Sequence, residues 1–135
     1  MELPEFAPGL TARVELTVTD ADTAQALGSG DVPVLGTPRV LALAEAATVV
    51  ATARQLPGGL TTVGTRAEIE HRAPTPVGRR IVATATLAKV DGRKLLFEVE
   101  LRDGDAVVAE VRVERMMLDR PRFIAKALGD QPDPR

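Results

Sequence analysis

One segment of this chain fits a long helix, whereas almost every other patterned segment fits a β-strand. Residues 40–53 are apolar on nearly every side and are interrupted only by Glu45, Thr48 and Thr52. A helix that is apolar all round is typical of a buried position. The Leu-Pro-Gly-Gly sequence at 56–59 predicts the end of this helix. The remaining elements must therefore cover one long apolar helix.

The start of the helix is predicted at Thr37, a residue type that favours the N-cap, with Pro38 in the first helical position. Glu45, Thr48 and Thr52 lie three and four residues apart, so they share one narrow polar stripe. Two interpretations of this stripe stay open. It either faces solvent with Glu45 exposed, or it brings a carboxylate into the core. Buried ionisable groups are costly, and they are typical of functional sites.

Five segments alternate between polar and apolar residues with the period of two that half-buried strands show. They are residues 11–19, 63–71, 81–87, 95–102 and 107–114. Asp-Gly pairs at 91–92 and 103–104 join the last three segments and are typical of hairpin turns. These three strands predict an antiparallel meander. One long buried helix against a sheet of about five strands is a two-layer α+β domain.

The segments between these elements are less regular. Residues 20–34 are rich in Gly, Asp and Ala, and we predict a loop with one short helical turn. A loop this long in a small domain is usually functional or mobile, so we interpret it as a lid. Residues 122–128 predict a short terminal helix. We assign residues 1–128 to a single domain and expect residues 129–135 to be a disordered tail.

The composition excludes several classes of function. The 135 residues include no cysteine and one histidine, so disulfides, thiolate catalysis and a zinc site of several histidines in one chain are excluded. No metal and no cofactor is predicted. A net charge of -2 and the absence of Tyr and Trp argue against nucleic-acid binding. We find no membrane segment and no signal peptide, and we expect a cytoplasmic protein.

The only histidine, His71, ends the alternating segment 63–71 and has the parity of its apolar face. An imidazole on an apolar face, in a chain that also places Glu45 within an apolar helix, suggests a catalytic pair. The alternative is a histidine at the end of a strand whose ring is satisfied by a local carbonyl.

Several segments of the chain carry a more specific pattern. They are Gly64-Thr65, the HRAPTP sequence at 71–76, the VDGRKL sequence at 90–95, and Gly36-Thr37, in which Thr37 stands eight residues before Glu45. Together they resemble the fluoroacetyl-CoA thioesterase-like branch of the hotdog thioesterases, over about residues 10–128. The resemblance implies a hotdog fold, in which a curved antiparallel sheet wraps one long helix.

The resemblance also implies roles for individual residues. Thr37, Glu45 and His71 correspond to the family's catalytic set, Gly64 to a glycine close to the bound thioester, and Gly36 to the substrate-binding residue beside the threonine. Glu45 is then the nucleophile or the general base, and His71 activates water or protonates the leaving thiolate. Thr37 donates a hydrogen bond to Glu45 or to the substrate. From the residues alone, Thr37 can instead be a cap and Gly64 can mark a β-bulge.

The leading hypothesis is a homodimeric acyl-CoA thioesterase with its site at the dimer interface. Arg120 and Arg122 are candidates for contacts with the CoA phosphates. A non-catalytic acyl-CoA or small-ligand binding protein on the same fold is the alternative. A hydratase ranks third, because no Asp stands five residues before His71. The resemblance implies a pocket closed by phenylalanines, whereas the predicted lid contains no Phe. We therefore expect a small acyl group other than fluoroacetyl, carried by CoA or by an acyl-carrier protein.

Overall fold

The computed structural model describes residues 2–129. The strands are β1 (Thr11–Thr17), β2 (Leu60–His71), β3 (Arg80–Asp91), β4 (Lys94–Asp103) and β5 (Ala106–Asp119). The helices are α1 (Ala24–Leu27), α2 (Thr37–Ala53) and α3 (Arg120–Gly129). The five strands form one antiparallel sheet in the order β1-β3-β4-β5-β2. This is the α+β arrangement that the sequence predicts.

The predicted meander of β3, β4 and β5 is confirmed, and its two turns have the backbone that Asp-Gly pairs favour. Gly92 has a φ of 58° and Gly104 a φ of 60°, in the left-handed region that glycine adopts without strain. All strands except β1 are longer than the alternating pattern. Strands β2 and β5 are longer because residues 60–62 pair with residues 117–119. Strands β3 and β4 are longer because their pairing continues to the turn. Lys94 pairs with Asp91, for example, directly beside the first turn.

The core lies between α2 and one face of the sheet. This face consists of alternate residues of the meander strands, and its members are Ile81, Ala83, Ala85, Leu87, Leu95, Phe97, Val99, Leu101, Ala109, Val111 and Val113. The alternation predicts Val107 on this face as well, which is wrong, because the register shifts and Val107 pairs with exposed Arg102. Against it, α2 packs Val40, Leu43, Ala44 and Ala47. Phe97 is fully buried, and burial of such a side chain contributes about 2 kcal/mol.

Helix α2 is buried on one side only, so the expectation of burial all round is wrong. Val49 and Val50 remain 45% and 50% exposed. Thr48 and Thr52 are fully buried instead of facing solvent, and their hydroxyls donate hydrogen bonds to carbonyls of their own helix. These two threonines therefore point inward, and the interpretation that they face solvent is wrong, whereas the side chain of Glu45 is 37% exposed.

Strand β2 contains a β-bulge that the alternating pattern conceals. Gly64 pairs with Arg115 and Arg66 pairs with Glu114, so Thr65 is an extra residue in the ladder. The alternation predicted for residues 63–71 is therefore wrong at this point. Residues on one face of β2 therefore have even numbers on one side of the bulge and odd numbers on the other.

The segment after β1 folds as a loop with a short helix, as predicted. It contains a 3-10 turn at Asp20–Asp22 and helix α1. Isolated bridges join Thr23 to Leu35 and Val34 to Pro76, and they close this loop against the segment after β2. Within residues 2–129, no helix is long and apolar enough to cross a membrane.

The predicted terminal helix is confirmed as α3, which begins earlier than expected and includes Gly129. None of the residues of α3 is buried. The rest of the predicted disordered tail, residues 130–135, lies outside the described residues.

Candidate functional site

The structure brings Thr37 and His71 together. Gly36, and not Thr37, is the N-cap of α2, and Thr37 is the first helical residue. The predicted N-cap is therefore wrong, because no side chain caps this helix. The hydroxyl of Thr37 instead lies 2.9 Å from Nδ1 of His71, at hydrogen-bond distance.

The other ring nitrogen of His71 is buried and has no hydrogen-bond partner among residues 2–129. Partial burial of the ring lowers the pKa of His71 below its ordinary value. The ring is therefore neutral at pH 7. With Nδ1 engaged by Thr37, Nε2 is the atom left to exchange a proton with a bound molecule.

Glu45 is held by an arginine that the sequence analysis did not single out. Nη1 of Arg115 donates to Oε2 of Glu45 at 3.0 Å, and the other guanidinium nitrogens donate to the hydroxyl and the carbonyl of Thr62. The side chain of Arg115 is 7% exposed and that of Glu45 is 37% exposed. Burial lowers the pKa of Arg115 although Glu45 raises it, and the group stays a cation at neutral pH.

A signal for Arg115 was present in the sequence. Residues 109, 111 and 113 alternate on the core face of β5, and the next position of this row is Arg115. The predicted strand ends at Glu114, whereas β5 continues to Asp119. A charged residue at a position that the alternation assigns to the core face of a strand is as informative as His71. A buried charge needs a partner, so such a residue indicates an ion pair.

Gly64 lies on β2 directly beside the carboxylate of Glu45. A Cβ atom at this position would overlap Oε2 of Glu45. The interpretation of Gly64 as part of a bulge is confirmed, and its missing side chain also leaves the room that the carboxylate occupies.

The two pairs stay apart within one chain. Thr37 and Glu45 are eight residues apart on α2, which separates them by about 12 Å along the helix axis. Gly64 and His71 are seven residues apart on β2, at about 3.3 Å per residue. No hydrogen bond in the described part of the chain joins Thr37 or His71 to Glu45 or Arg115. The structure therefore forms two separate pairs and not one triad. We call the pair of Thr37 and His71 and the pair of Glu45 and Arg115 the two half-sites.

A cavity of about 360 Å³ adjoins the first pair. Gly36, Thr37 and His71 line it, together with residues 29–32 of the loop after α1. These loop residues are Ser29, Gly30, Asp31 and Val32, so the cavity wall is small and partly polar.

Arg120 and Arg122 lie at the other end of the sheet. Asp119, the residue before α3, pairs with Leu60 at the start of β2, whereas His71 is at the end of β2. The two arginines are therefore far from His71 of their own chain.

Residues 18–121 match the sequence family described as fluoroacetyl-CoA-specific thioesterase (FlK). The fluoroacetyl-CoA thioesterase of Streptantibioticus cattleyicolor is 33% identical over 99 residues, which are 73% of this chain and 71% of the relative.

Solved structures agree with this match. A point mutant of the fluoroacetyl-CoA-specific thioesterase superposes with a TM-score of 0.87 at 27% identity, covering 94% of this chain and 98% of the other. A hot-dog-like protein from Thermanaerovibrio acidaminovorans, 22% identical, also gives 0.87 and covers 95% of both chains, which shows the hotdog fold alone. The chain therefore belongs to the fluoroacetyl-CoA-specific thioesterase family and is a hotdog-fold thioester hydrolase.

Proposed function

We propose that this protein is an acyl-CoA thioesterase whose reaction is carried out by Thr37, Glu45 and His71. It hydrolyses a small acyl-CoA to the free acid and CoA. The observation that carries the proposal is the hydrogen bond between Thr37 and Nδ1 of His71, which leaves Nε2 buried without a partner. A neutral imidazole with one free nitrogen is suited to proton transfer at neutral pH.

The chemistry follows from the residue types. Glu45 either attacks the thioester carbonyl itself or takes a proton from the water that attacks it. The C–S bond then breaks, and CoA departs as the thiolate. Where Glu45 attacks directly, water hydrolyses the anhydride formed between Glu45 and the acyl group, and neutral His71 accepts the proton of this water at Nε2 and passes it to the sulfur. Where Glu45 acts as the general base, the proton that it takes from water passes to the sulfur. Arg115 is a positioning residue in this scheme, because it orients the carboxylate of Glu45. Gly36 lines the cavity beside Thr37, and Gly64 leaves room for the carboxylate of Glu45, so both glycines would lie close to the bound thioester.

A homodimer completes the site in this proposal. Strand β2 lies at an edge of the sheet, and among residues 2–129 it pairs only with β5. A twofold axis through the free edge of β2 pairs it antiparallel with β2 of a second copy. Antiparallel pairing places the His71 end of one copy beside the Gly64 half of the other. Thr37 and His71 of one subunit would then face Glu45 and Arg115 of the partner, twice in each dimer.

The exposed side of α2 supports this dimer. Val49 is one helical turn beyond Glu45, so the two side chains share one face. Val49 and Val50 are apolar, and they are about half exposed. A second copy at this edge would remove them from water.

The same pairing gives Arg120 and Arg122 a place near the substrate. Each α3 starts beside Leu60, and Leu60 would lie near the His71 end of the partner's β2. We propose that these arginines contact the CoA phosphates across the interface. The wall of the cavity at residues 29–32 contains no Phe, so we propose an acyl group other than fluoroacetyl. A cytoplasmic location stays a prediction.

The proposal is tested by thiol release from short, branched, aromatic and fluorinated acyl-CoAs, measured with Ellman's reagent. The protein has no cysteine, so it contributes no background thiol. Glu45→Gln and His71→Ala should lose turnover while remaining folded, and Glu98→Gln on the outer face of the sheet is the matched control. No turnover with any acyl-CoA, although CoA esters raise the melting temperature, would identify a binding protein and contradict the proposal.

A further inference from the structure

Asp22 is a buried carboxylate that the proposed reaction does not use. It is 8% exposed, and besides Arg115 it is the one charged residue that is buried among residues 2–129. Both of its oxygens are occupied. Oδ1 accepts from Nε of Arg39 at 2.9 Å, and Oδ2 accepts from the amide and the hydroxyl of Thr19 at 2.8 and 3.0 Å.

These bonds join three segments that meet at the start of α2. Thr19 follows β1, Asp22 belongs to the loop after it, and Arg39 lies in the first turn of α2. Burial raises the pKa of Asp22, but the hydrogen bonds from Thr19 and Arg39 outweigh this and lower the pKa below its ordinary value of 3.8. Asp22 is therefore ionised throughout the neutral range, and its pairing with Arg39 persists there.

The backbone of Asp22 reinforces the same connection. Its carbonyl accepts from the amide of Gly36 at 2.9 Å, and Gly36 is the N-cap of α2. A Cβ at Gly36 would come within 3.0 Å of the Ala24 Cα atom, so the loop and the helix start are in close contact. Thr37 follows Gly36 directly. Asp22 thus binds the start of α2 twice. Its side chain binds Arg39, and its main-chain carbonyl binds Gly36.

We propose that Asp22 and Arg39 form a positioning pair for His71. They fix the first turn of α2 so that the hydroxyl of Thr37 stays within hydrogen-bond distance of Nδ1 of His71. Neither residue touches Thr37 or His71 through a hydrogen bond in the described residues, so the pair acts through the backbone of residues 36–39. The effect on turnover rests on the proposed thioesterase function, whereas the effect on the His71 ring does not.

The chain is well suited to the test because His71 is its only histidine. Imidazole ¹⁵N and ¹H signals therefore report on this ring without assignment, and they show which nitrogen is hydrogen-bonded. Asp22→Asn keeps the volume of the side chain, but it removes the charge facing Arg39 and replaces one acceptor by a donor. We expect this variant to shift the Nδ1 signal toward that of Thr37→Val. We also expect kcat to fall by up to about fivefold, no further than in Thr37→Val, with KM within about twofold.

Asp103→Asn is the matched control, since Asp103 also pairs with an arginine, Arg79, and makes no hydrogen bond to α2 in the described part of the chain. It should leave the His71 signals and kcat unchanged. Arg39→Lys gives a milder test if Asp22→Asn fails to fold, because Arg39 is partly exposed and its charge is kept. It should shift the ring signals in the same direction. Folded Asp22→Asn or Arg39→Lys protein with wild-type His71 signals would overturn the proposal, whether or not any acyl-CoA is hydrolysed.

Discussion

Gly64 and His71 are seven residues apart on β2, and yet both face α2. Seven residues would place them on opposite faces of a regular strand. The bulge at Thr65 changes the parity, so that Gly64 lies against Glu45 while His71 reaches Thr37. One inserted residue therefore directs both half-sites toward the same helix. Bulges are over-represented next to active sites for this reason.

The space beside Gly64 predicts the effect of adding a single methyl group. Gly64→Ala places a Cβ atom where Oε2 of Glu45 lies, so the carboxylate must move away from Arg115. We expect kcat to fall on the order of 100-fold. Gly58→Ala is the control, because no atom lies within 4 Å of its Cβ position. Steady-state kinetics of both variants check this, and an active Gly64→Ala enzyme would show that the position of Glu45 is not critical.

Removing Arg115 should lower both stability and activity. Arg115→Met leaves the carboxylate of Glu45 without its cation and the Thr62 carbonyl without its donor. Breaking a fully buried pair costs about 3–5 kcal/mol, and we expect about 2 kcal/mol here because Glu45 is 37% exposed. Urea unfolding measures this free energy. Arg112→Met, at an exposed ion pair of the outer face, should change it by about 0.5 kcal/mol at most.

Thr37 should matter for catalysis and little for the stability of α2. Its hydroxyl bonds to His71 and caps nothing, so Thr37→Val should change the free energy of unfolding by less than the ~1 kcal/mol of a lost N-cap. Turnover should fall about fivefold or more, as expected for one lost hydrogen bond of about 1 kcal/mol. Thr37→Ser keeps the hydroxyl and should retain most of the turnover. A large loss of stability in Thr37→Val with normal kcat would mean that Thr37 is structural.

The pH dependence follows from the lowered pKa of His71. In the unfolded chain His71 takes up a proton at its ordinary pKa of 6.5, whereas in the folded protein it does so only at lower pH. The free energy of unfolding therefore declines as the pH falls below 6.5, until the folded ring is protonated. His71→Gln should lose this part of the pH dependence. An NMR titration that gives His71 a pKa above 6.5 would contradict the burial of the ring.

Much of the fold was readable from the sequence because its strands alternate regularly. The buried rows of β3 and β4 are those predicted, since Leu95, Phe97 and their neighbours repeat every second residue. The bulge at Thr65 was not predictable from this pattern. An extra residue leaves no mark in alternation when the residues around it are small or polar.

The site was predictable in its residue types but not in its arrangement. His71 and Glu45 stood out because ionisable groups are costly in apolar segments. Their separation into two pairs depends on where α2 crosses β2, which is a tertiary feature. Arg115 was missed because the predicted strand ended one residue before it.

The central claim is that the two half-sites of different subunits form one hydrolytic site, and mixing two inactive variants tests it most directly. Glu45→Gln and His71→Ala are unfolded together in equal amounts, refolded, and assayed for thiol release from the best acyl-CoA. Random pairing makes half of the dimers mixed, and each mixed dimer holds one intact site, so about a quarter of the wild-type activity should return. If mixed dimers form and the mixture stays inactive, each site lies within a single chain and the account is wrong.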